Sequence, residues 1–318
     1  MNALRRSTFL ALGTAALAVP RLDAQAQSLT TIRVMGNPND DATSVFYAIK
    51  TGMFQKAGLD IHIESGTSGA AVAAAVAGGS FDIGKSSITS IFEAHEKGVP
   101  FALLAPAGIQ ETAAPFAGTL ALKDSPVKSG KDLENQVVGV SSLSSIGRAA
   151  VCRWVDRAGG NWHTVQFVEI PLTQAAAAVS QKRVVAAEIA QPLLAASLAT
   201  GNFQNLPTYQ AIAPRFVFTC WFTTKDWSSK YPDLARSFAR VVAQSAAITN
   251  THHTDTAPVM AAASGVELSV LQNMQRVNDG TTLDPAQIQP LIDASAAYGM
   301  LKASFPARDI VDPNALPR

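Results

Sequence analysis

Short apolar strands alternate with helices through the first third of the chain, and this alternation limits the possible folds more than any other feature of the sequence. Over residues 59–63, Leu and Ile alternate with Asp and His, which is the period of two that is typical of a half-buried strand. An alanine-rich stretch that opens at residues 66–69 and closes at Gly78-Gly79 predicts a helix. Four strands and three helices follow one another in this way over residues 31–105. The order βαβαβαβ predicts a mainly parallel sheet with helices on its faces.

A second run of strands and helices fills residues 119–192, and after one more strand the chain continues only in helices. That last strand is predicted over residues 216–223, where aromatic and β-branched residues are concentrated. The helices after it, including one that Asp284 caps and Pro285 begins, have no new sheet to cover. We therefore expect them to pack on the first sheet, so that the chain returns to the lobe in which it began.

The expected fold is α/β with two lobes, each a mainly parallel sheet flanked by helices. Lobe 1 is predicted to comprise residues 27–112 and 217–318, and lobe 2 residues 113–216. The chain then crosses between the lobes twice. Paired crossings form a hinge, and a hinge allows two lobes to close on a molecule between them.

Residues 1–26 have the features of a signal peptide that is removed on export. Arg5 and Arg6 supply positive charge, and residues 9–19 form an apolar run too short to span a bilayer. Ala24 and Ala26 are small residues at the two positions that signal peptidase recognises, so we expect cleavage after Ala26 and a periplasmic location. The arginine pair partly matches a twin-arginine signal, and both that route and the general secretory route remain open.

The charge balance excludes some classes of partner. The sequence has 25 Lys and Arg against 24 Asp and Glu, which gives no reason to expect nucleic acid or anionic lipid as a partner. No stretch after the signal peptide is long and apolar enough to span a bilayer, so we expect a soluble protein.

Cysteine and histidine spacing predicts no metal and no cofactor. Cys152 and Cys220 lie apart in apolar stretches, where a disulfide and two buried free thiols are both open interpretations, with free thiols favoured. His252 and His253 are adjacent, so their rings point apart on a helix. No Ser-His-Asp pattern and no phosphate-binding loop is evident.

Four segments, in their order and spacing, resemble a family of binding proteins. They read FYAIKTGMF at residues 46–54, AVAGGSFDIG at 75–84, KDLENQVVGV at 131–140, and an aromatic-glycine pair at Tyr298-Gly299 followed by Pro306. Together they resemble the nitrate-, sulfonate- and taurine-binding proteins of ABC importers, which include binders of thiamine-pyrimidine precursors. Asn135 departs from the pattern, because glycine is usual there.

The resemblance implies a periplasmic-binding-protein fold of the second type. It implies a monomer that captures a small anionic, aromatic or heterocyclic molecule and delivers it to an ABC permease in the inner membrane. The alternative is an enzyme of the same fold that acts in thiamine-pyrimidine biosynthesis. Such enzymes carry a cysteine-rich motif and iron-binding histidines, and this sequence has neither.

Loops that follow parallel strands supply the candidate ligand-binding residues of lobe 1, because ligands bind beyond the carboxyl ends of such strands. The candidates, with Ser86 and Ser87 carried over from the resemblance, are Asn37, Asn39, Ser65, Gly66, Thr67, Ser68, Ser86, Ser87 and, in the first crossing, Gln110. The loop that contains Asn37 and Asn39 could alternatively be a plain turn, with Asp41 as a helix cap. Lys85 is expected either to pair with an anionic ligand or to lie in solvent.

In lobe 2, a serine-rich loop at a predicted helix start is the strongest candidate, since hydroxyls and free N–H groups meet there. The lobe 2 candidates are Ser141, Ser142, Ser144, Ser145, Arg148, Glu188 and Gln191. Arg148 is expected to clamp a carboxylate or sulfonate, or else to form an exposed salt bridge. Glu188 would favour a cationic or hydroxyl-bearing solute, or else make a structural contact at the hinge. Phe46, Phe116 and Trp221 are candidates for stacking on a ring, and core packing is the alternative for each.

Overall fold

The computed structural model describes residues 29–315, which form two five-stranded sheets, a two-stranded ribbon and twelve α-helices. The strands are β1 (Thr30–Met35), β2 (Leu59–Glu64), β3 (Ile83–Ser87), β4 (Phe101–Pro106), β5 (Ile109–Glu111), β6 (Ala117–Leu122), β7 (Val137–Val140), β8 (Gln166–Glu169), β9 (Ala186–Ala190), β10 (Phe203–Leu206), β11 (Arg215–Val217) and β12 (Thr219–Thr224). The helices are α1 (Thr43–Lys50), α2 (Met53–Lys56), α3 (Gly69–Ala77), α4 (Ile88–Glu96), α5 (Ile146–Arg157), α6 (Ala175–Ser180), α7 (Leu193–Ala199), α8 (Lys225–Lys230), α9 (Pro232–Thr249), α10 (His253–Ser264), α11 (Leu268–Asn273) and α12 (Gln289–Ala297). Short 3-10 turns occupy Asp40–Ala42, Gly130–Leu133, Trp162–Thr164, Leu172–Gln174, Tyr209–Ala211, Pro285–Gln287 and Ala307–Asp309. The predicted signal peptide lies outside the described residues.

The first sheet has the order β2-β1-β3-β12-β4. Its strands are parallel except β12, which runs antiparallel to both β3 and β4. The β12 strand is the aromatic and β-branched run that the sequence predicts, and it is buried between β3 and β4 because such side chains pack well on a pleated surface. The return of the chain to the first sheet and the mainly parallel arrangement are therefore confirmed.

The second sheet has the order β10-β6-β9-β7-β8 and the same plan. The β7, β8 and β9 strands are parallel, and β6 runs antiparallel to both of its neighbours. The β10 edge strand was missed in the sequence, because its four residues include Gln204 and Asn205 and give no apolar alternation. The predicted α/β fold of two lobes, each built on a mainly parallel sheet, is confirmed.

A short antiparallel ribbon joins the two lobes. In it β5 pairs with β11, with Gln110 opposite Phe216, and Arg215 forms an ion pair with Glu111 at 2.5 Å. The strand predicted over residues 216–223 is in fact two strands, because the chain changes partner at Phe218 as it passes from the ribbon into the first sheet. The two predicted crossings correspond to this ribbon.

The lobes also touch beyond the ribbon. The largest apolar cluster includes Phe92 of α4 and Ile292 of α12 together with Ile146 and Ala149 of α5. Helix α12 of lobe 1 thus packs against α5 of lobe 2, the helix that follows the serine-rich loop. Among residues 29–315, no helix has both the length and the apolar character needed to cross a membrane.

Candidate functional site

Three predicted lobe 1 segments, residues 36–39, 65–68 and 86–87, lie at the carboxyl ends of the parallel strands of the first sheet. Met35 at the end of β1 is in register with Glu64 at the end of β2 and with Gly84 in β3. The loops at residues 36–39 and 65–68 therefore start side by side, and β3 extends past them. The sequence predicts a strand only to Ile83, so placing Ser86 and Ser87 in a loop was wrong: both belong to β3, held there by pairing with β12.

The loop at residues 36–39 carries two asparagine side chains, Asn37 and Asn39. Within the described residues, neither the half-buried Asn37 nor the exposed Asn39 makes a side-chain hydrogen bond to the protein. The alternative interpretation of Asp41 as a helix cap is wrong, because Asp41 accepts a hydrogen bond of 2.5 Å from Thr219 Oγ1 and pairs with Lys85 instead.

Lys85 is neither exposed nor open to a ligand, which contradicts both expectations for it. Its ammonium group is buried and forms an ion pair with the buried carboxylate of Asp41. A buried charge is stable only with a partner, and this pair satisfies both charges inside lobe 1. The lysine is therefore not a free cation for an anionic solute.

The loop at residues 65–68 leads into α3 in close contact with β3. Ser68 caps the helix, its hydroxyl accepting from Ala71 N at 3.1 Å. The Ser86 hydroxyl is buried without a hydrogen-bond partner among the described residues, and a side chain at Gly69 would overlap it. Ser87 Oγ lies 3.0 Å from Thr89 Oγ1 at the start of α4. Ser65 and Thr67 are exposed at the mouth of this loop, and Gly66 packs on Val72, where a Cβ would come within 2.5 Å.

In lobe 2, the serine-rich loop at residues 141–145, hereafter the serine loop, is organised by Glu188. Ser141 donates to Glu188 Oε2 from its N–H at 2.7 Å and from its hydroxyl at 2.8 Å. Ser145, which caps α5, also donates to Oε2 at 2.8 Å. Gly147 leaves room for this carboxyl group, because a Cβ there would lie 2.7 Å from Oε2.

The buried phenol of Tyr209 completes the contacts of Glu188, and sequence reasoning did not identify it. Its hydroxyl lies 3.3 Å from Glu188 Oε1. Burial, with a further effect of the Glu188 charge, raises the pKa of Tyr209 well above its ordinary value of 10.0. No local motif marks Tyr209, since it meets Glu188 only through the packing of its turn on α5.

Ser142 and Ser144 complete the serine loop, with their hydroxyls 3.5 Å apart. Ser144 borders a cavity of about 10 Å³ between the lobes, together with Thr89, Glu93 and Ser295. Across this cavity, Ser144 of lobe 2 lies opposite Thr89 at the start of α4. A larger cavity of about 340 Å³ lies between β4 and α9 in lobe 1, and none of the predicted site residues lines it.

Arg148 does not form the exposed salt bridge that was its alternative role. Its guanidinium donates to the backbone oxygen of Tyr298 at 3.1 Å and to that of Leu143 at 3.4 Å. It also lies over the rings of Phe167 and Trp162, at 5.3 and 5.9 Å from their centroids. Arg148 therefore links α5 to the turn that follows α12.

Gln110 and Gln191 are both bonded to nearby backbone. Gln110 donates to Ala117 O at 3.1 Å and accepts from Ala117 N at 2.9 Å, which ties the ribbon to β6. Gln191 donates to Pro115 O at 3.1 Å and accepts from Ala195 N at 3.2 Å. Both side chains hold the chain at the crossing between the lobes.

The three candidate aromatic residues pack on other aromatic or apolar groups. Trp221 is fully buried in the core of lobe 1, and Phe46 packs partly buried against the same core. Phe116 stacks on Phe218 with ring centroids 4.4 Å apart, next to the ribbon. Core packing, the alternative role, describes Trp221 and Phe46.

A buried carboxyl group next to the ribbon was also missed. Asp279 Oδ2 accepts from Ser44 N at 2.8 Å, whereas Oδ1 has no hydrogen-bond partner among the described residues. Burial raises the pKa of Asp279 from 3.8 to about 7. The Asp279 and Ser44 contact spans 235 positions, so no sequence pattern reveals it. Nearby, Arg276 is paired with Asp40 at 2.5 Å.

Neither cysteine is positioned for chemistry. Cys152 and Cys220 are buried free thiols. Burial raises the pKa of the Cys152 thiol to about 12 and that of Cys220 far above its usual range. Within residues 29–315, no group of three or more His, Cys, Asp or Glu side chains is arranged to hold a metal ion.

Solved structures share this fold at low sequence identity. The aliphatic sulphonate binding protein SsuA of Escherichia coli matches with a TM-score of 0.72 and 16% identity, over 91% of this chain and 94% of that one. The nitrate-binding protein NrtA of Synechocystis PCC 6803 matches with a TM-score of 0.68 and 13% identity, over 90% and 86%. The desulfurization enzyme DSZB matches with a TM-score of 0.60 and 15% identity, over 90% and 97%.

Sequence comparison identifies the family. No curated protein sequence matches the chain. A sequence profile of the family described as NMT1/THI5 like matches residues 39–255, which is more than half of the chain. The chain therefore belongs to the NMT1/THI5-like family and has the fold of the periplasmic binding proteins.

Proposed function

We propose that this protein captures a small organic molecule between its two lobes and delivers it to an ABC importer. The observation that carries the proposal is the placement of polar loops at the carboxyl ends of two parallel sheets that a single ribbon joins. Ligands bind at such positions in α/β proteins. The names of SsuA and NrtA, as sulfonate- and nitrate-binding proteins, support a solute-binding role.

Capture proceeds by hinge closure in this proposal. We assign the ribbon of β5 and β11 as the hinge between lobe 1 and lobe 2. A solute that contacts both lobes favours the closed form by its difference in affinity for the closed and open forms. Asn37 and Asn39 from lobe 1 and Ser142 and Ser144 from lobe 2 are the side chains we assign to these contacts.

Export completes the proposal. We infer that residues 1–26 direct the protein to the periplasm and are removed there. The mature monomer then meets the permease of its importer in the inner membrane.

The alternative is an enzyme of the same fold, acting in thiamine-pyrimidine biosynthesis. The alternative is supported by the likeness to DSZB, which is named as an enzyme, because this fold accommodates catalysis. The buried thiols disfavour cysteine chemistry, since the thiolate is the reactive form and burial suppresses it. Conversion of a bound compound into a product would establish the enzyme and end the transport proposal.

A thermal-shift screen of the protein purified from the periplasm tests the proposal. The compounds are sulfonates, carboxylates, pyrimidines, aromatic acids and amines. A compound present at about 100 times its Kd stabilises the folded protein by about 2.7 kcal/mol, which raises Tm by about 5 °C. Asn37→Ala should reduce that shift, whereas Gln55→Ala, which removes an exposed amide on α2, should not. If neither Asn37→Ala nor substitutions in the serine loop change the rise in Tm that a ligand causes, that ligand binds outside the cleft.

A further inference from the structure

Carboxylates of the protein already accept hydrogen bonds from Ser141, Leu143 and Ser145 of the serine loop. Glu188 Oε2 accepts from Ser141 N, Ser141 Oγ and Ser145 Oγ at 2.7 to 2.8 Å. Glu169 Oε1 accepts from Leu143 N at 2.9 Å. A third carboxylate, that of Glu93 from lobe 1, borders the small cavity beside Ser144. The helix N-terminus that would otherwise attract an anionic solute is thus surrounded by negative charge.

Positively charged side chains offset this negative charge only in part. Lys85 is paired with Asp41, and Arg276 with Asp40, inside lobe 1. Arg148 keeps its positive charge beside the serine loop, where it donates to two backbone oxygens and lies over two rings, so one positive charge is set against the carboxylates of Glu188 and Glu169. Within the part of the chain that the structure describes, Glu188 itself has no ion-pair partner.

The contacts of Glu188 are those of an ionised carboxylate. The Ser141 N–H can only donate, and the Ser141, Ser145 and Tyr209 hydroxyls are placed to donate as well. Residue Glu188 is 7% exposed, so little water screens its charge. Two like charges about 4 Å apart, at an effective dielectric constant of about 20, repel strongly enough to weaken binding about a thousandfold.

One oxygen of Glu188 also retains capacity to accept a further hydrogen bond. Oε2 has three donors, whereas Oε1 has the Tyr209 hydroxyl at a long 3.3 Å. A carboxylate oxygen accepts about two hydrogen bonds. Oε1 can therefore accept one further hydrogen bond from an N–H or O–H group.

We propose that the solute is uncharged or cationic, that it carries N–H or O–H donors, and that Glu188 is the residue that excludes anions. This inference rests on the proposed function, in which the cleft binds a solute. It separates this protein from the anion chemistry printed in the names of SsuA and NrtA.

A charge series on one ring tests the proposal in the wild-type protein. Benzoate, benzamide and benzamidine have similar shapes and differ in charge, and their affinities are measured by calorimetry. We expect benzoate to bind at least tenfold more weakly than the tightest of the three. Benzoate as the tightest binder, or wild-type binding of methanesulfonate with micromolar Kd, would overturn the proposal.

The variant Glu188→Gln tests the assigned residue, with methanesulfonate as the probe. Glu188→Gln removes the charge and keeps the size, and we expect methanesulfonate to bind at least tenfold more tightly than to wild type. Glu267→Gln, which removes an exposed carboxylate before α11, should leave this affinity unchanged. Equal anion affinity in wild type and a folded Glu188→Gln protein would remove Glu188 as the excluding residue. Failure of the proposed function is a separate outcome, namely that no solute of any charge stabilises the protein in the wider screen.

Discussion

Replacement of Asp279 by Asn should make the protein more stable at neutral pH and should flatten its pH dependence. The carboxyl group is fully buried at the junction of the ribbon with lobe 1, and Oδ1 has no hydrogen-bond partner among the described residues. Burial, with a contribution from the charges of Asp41 and Asp40, raises its pKa from 3.8 to about 7. Ionisation of this group therefore opposes folding.

The sign of the effect follows from linkage. A carboxyl whose pKa is higher in the folded than in the unfolded state binds its proton preferentially in the folded state. The resulting stabilisation is fully present below about pH 4 and is lost as pH rises through about 7. A shift of about 3 pKa units corresponds to about 4 kcal/mol as an order of magnitude, of which about 2 to 3 kcal/mol is lost between pH 5 and 8. Asn at position 279 does not titrate, so the variant does not lose stability from this group as pH rises.

Urea denaturation followed by circular dichroism at pH 5, 6, 7 and 8 measures the effect. The free energy of unfolding of Asp279→Asn minus that of wild type should rise with pH across this range. Asp309→Asn, which changes an exposed carboxylate, is the matched control and should give a difference that is constant with pH. A difference for Asp279→Asn that is constant or falls with rising pH would refute the reasoning.

Three further predictions concern contacts within and between the lobes. Tyr298→Phe removes the hydroxyl that bonds Asp156 at 3.0 Å, so we expect a loss of about 1 kcal/mol in urea denaturation and a larger radius of gyration in solution scattering without solute. Gly147→Ala puts a methyl group against the Glu188 carboxyl, so it should cost about 1 to 3 kcal/mol and weaken the solute found by screening, and an unchanged affinity would contradict the close approach. Both cysteines are buried and free, so Ellman's reagent should detect two thiols in guanidinium and almost none in the native protein.

The fold was largely predictable because its main elements have strong local patterns. The alternation over residues 59–63, which became β2, and the alanine-rich stretch closed by Gly78-Gly79, which became α3, each identify one element. The missed strands, β5 and β10, have three and four residues and include polar side chains, so they form only where a neighbouring strand is supplied. Gly52, whose φ of +72° is left-handed, separates α1 from α2, although the sequence predicts one continuous helix over about residues 42–54.

The positions of the candidate loops were predictable from the sheet topology, but the contacts of their side chains were not. Carboxyl ends of parallel strands meet at one edge, which is why loops 36–39 and 65–68 could be assigned together. What each side chain does there depends on partners that are distant in sequence. Lys85 meets Asp41 across 44 positions and Glu188 meets Ser141 across 47, and these contacts decide which charges are free.

In the function proposed above, the same contacts also determine how the serine loop would contribute to binding. Fixing the backbone of a free residue costs about 1 to 2 kcal/mol, so a mobile five-residue loop would consume much of the affinity of a small solute. Bonds from Ser141 and Ser145 to Glu188, and from Leu143 to Glu169, order this loop before any solute arrives. The carboxylates therefore have two consequences that cannot be separated in the native protein: they make the loop rigid, and they give it a negative charge. A solute compatible with that charge gains the benefit of a preorganised wall, whereas an anion meets the same wall as a barrier.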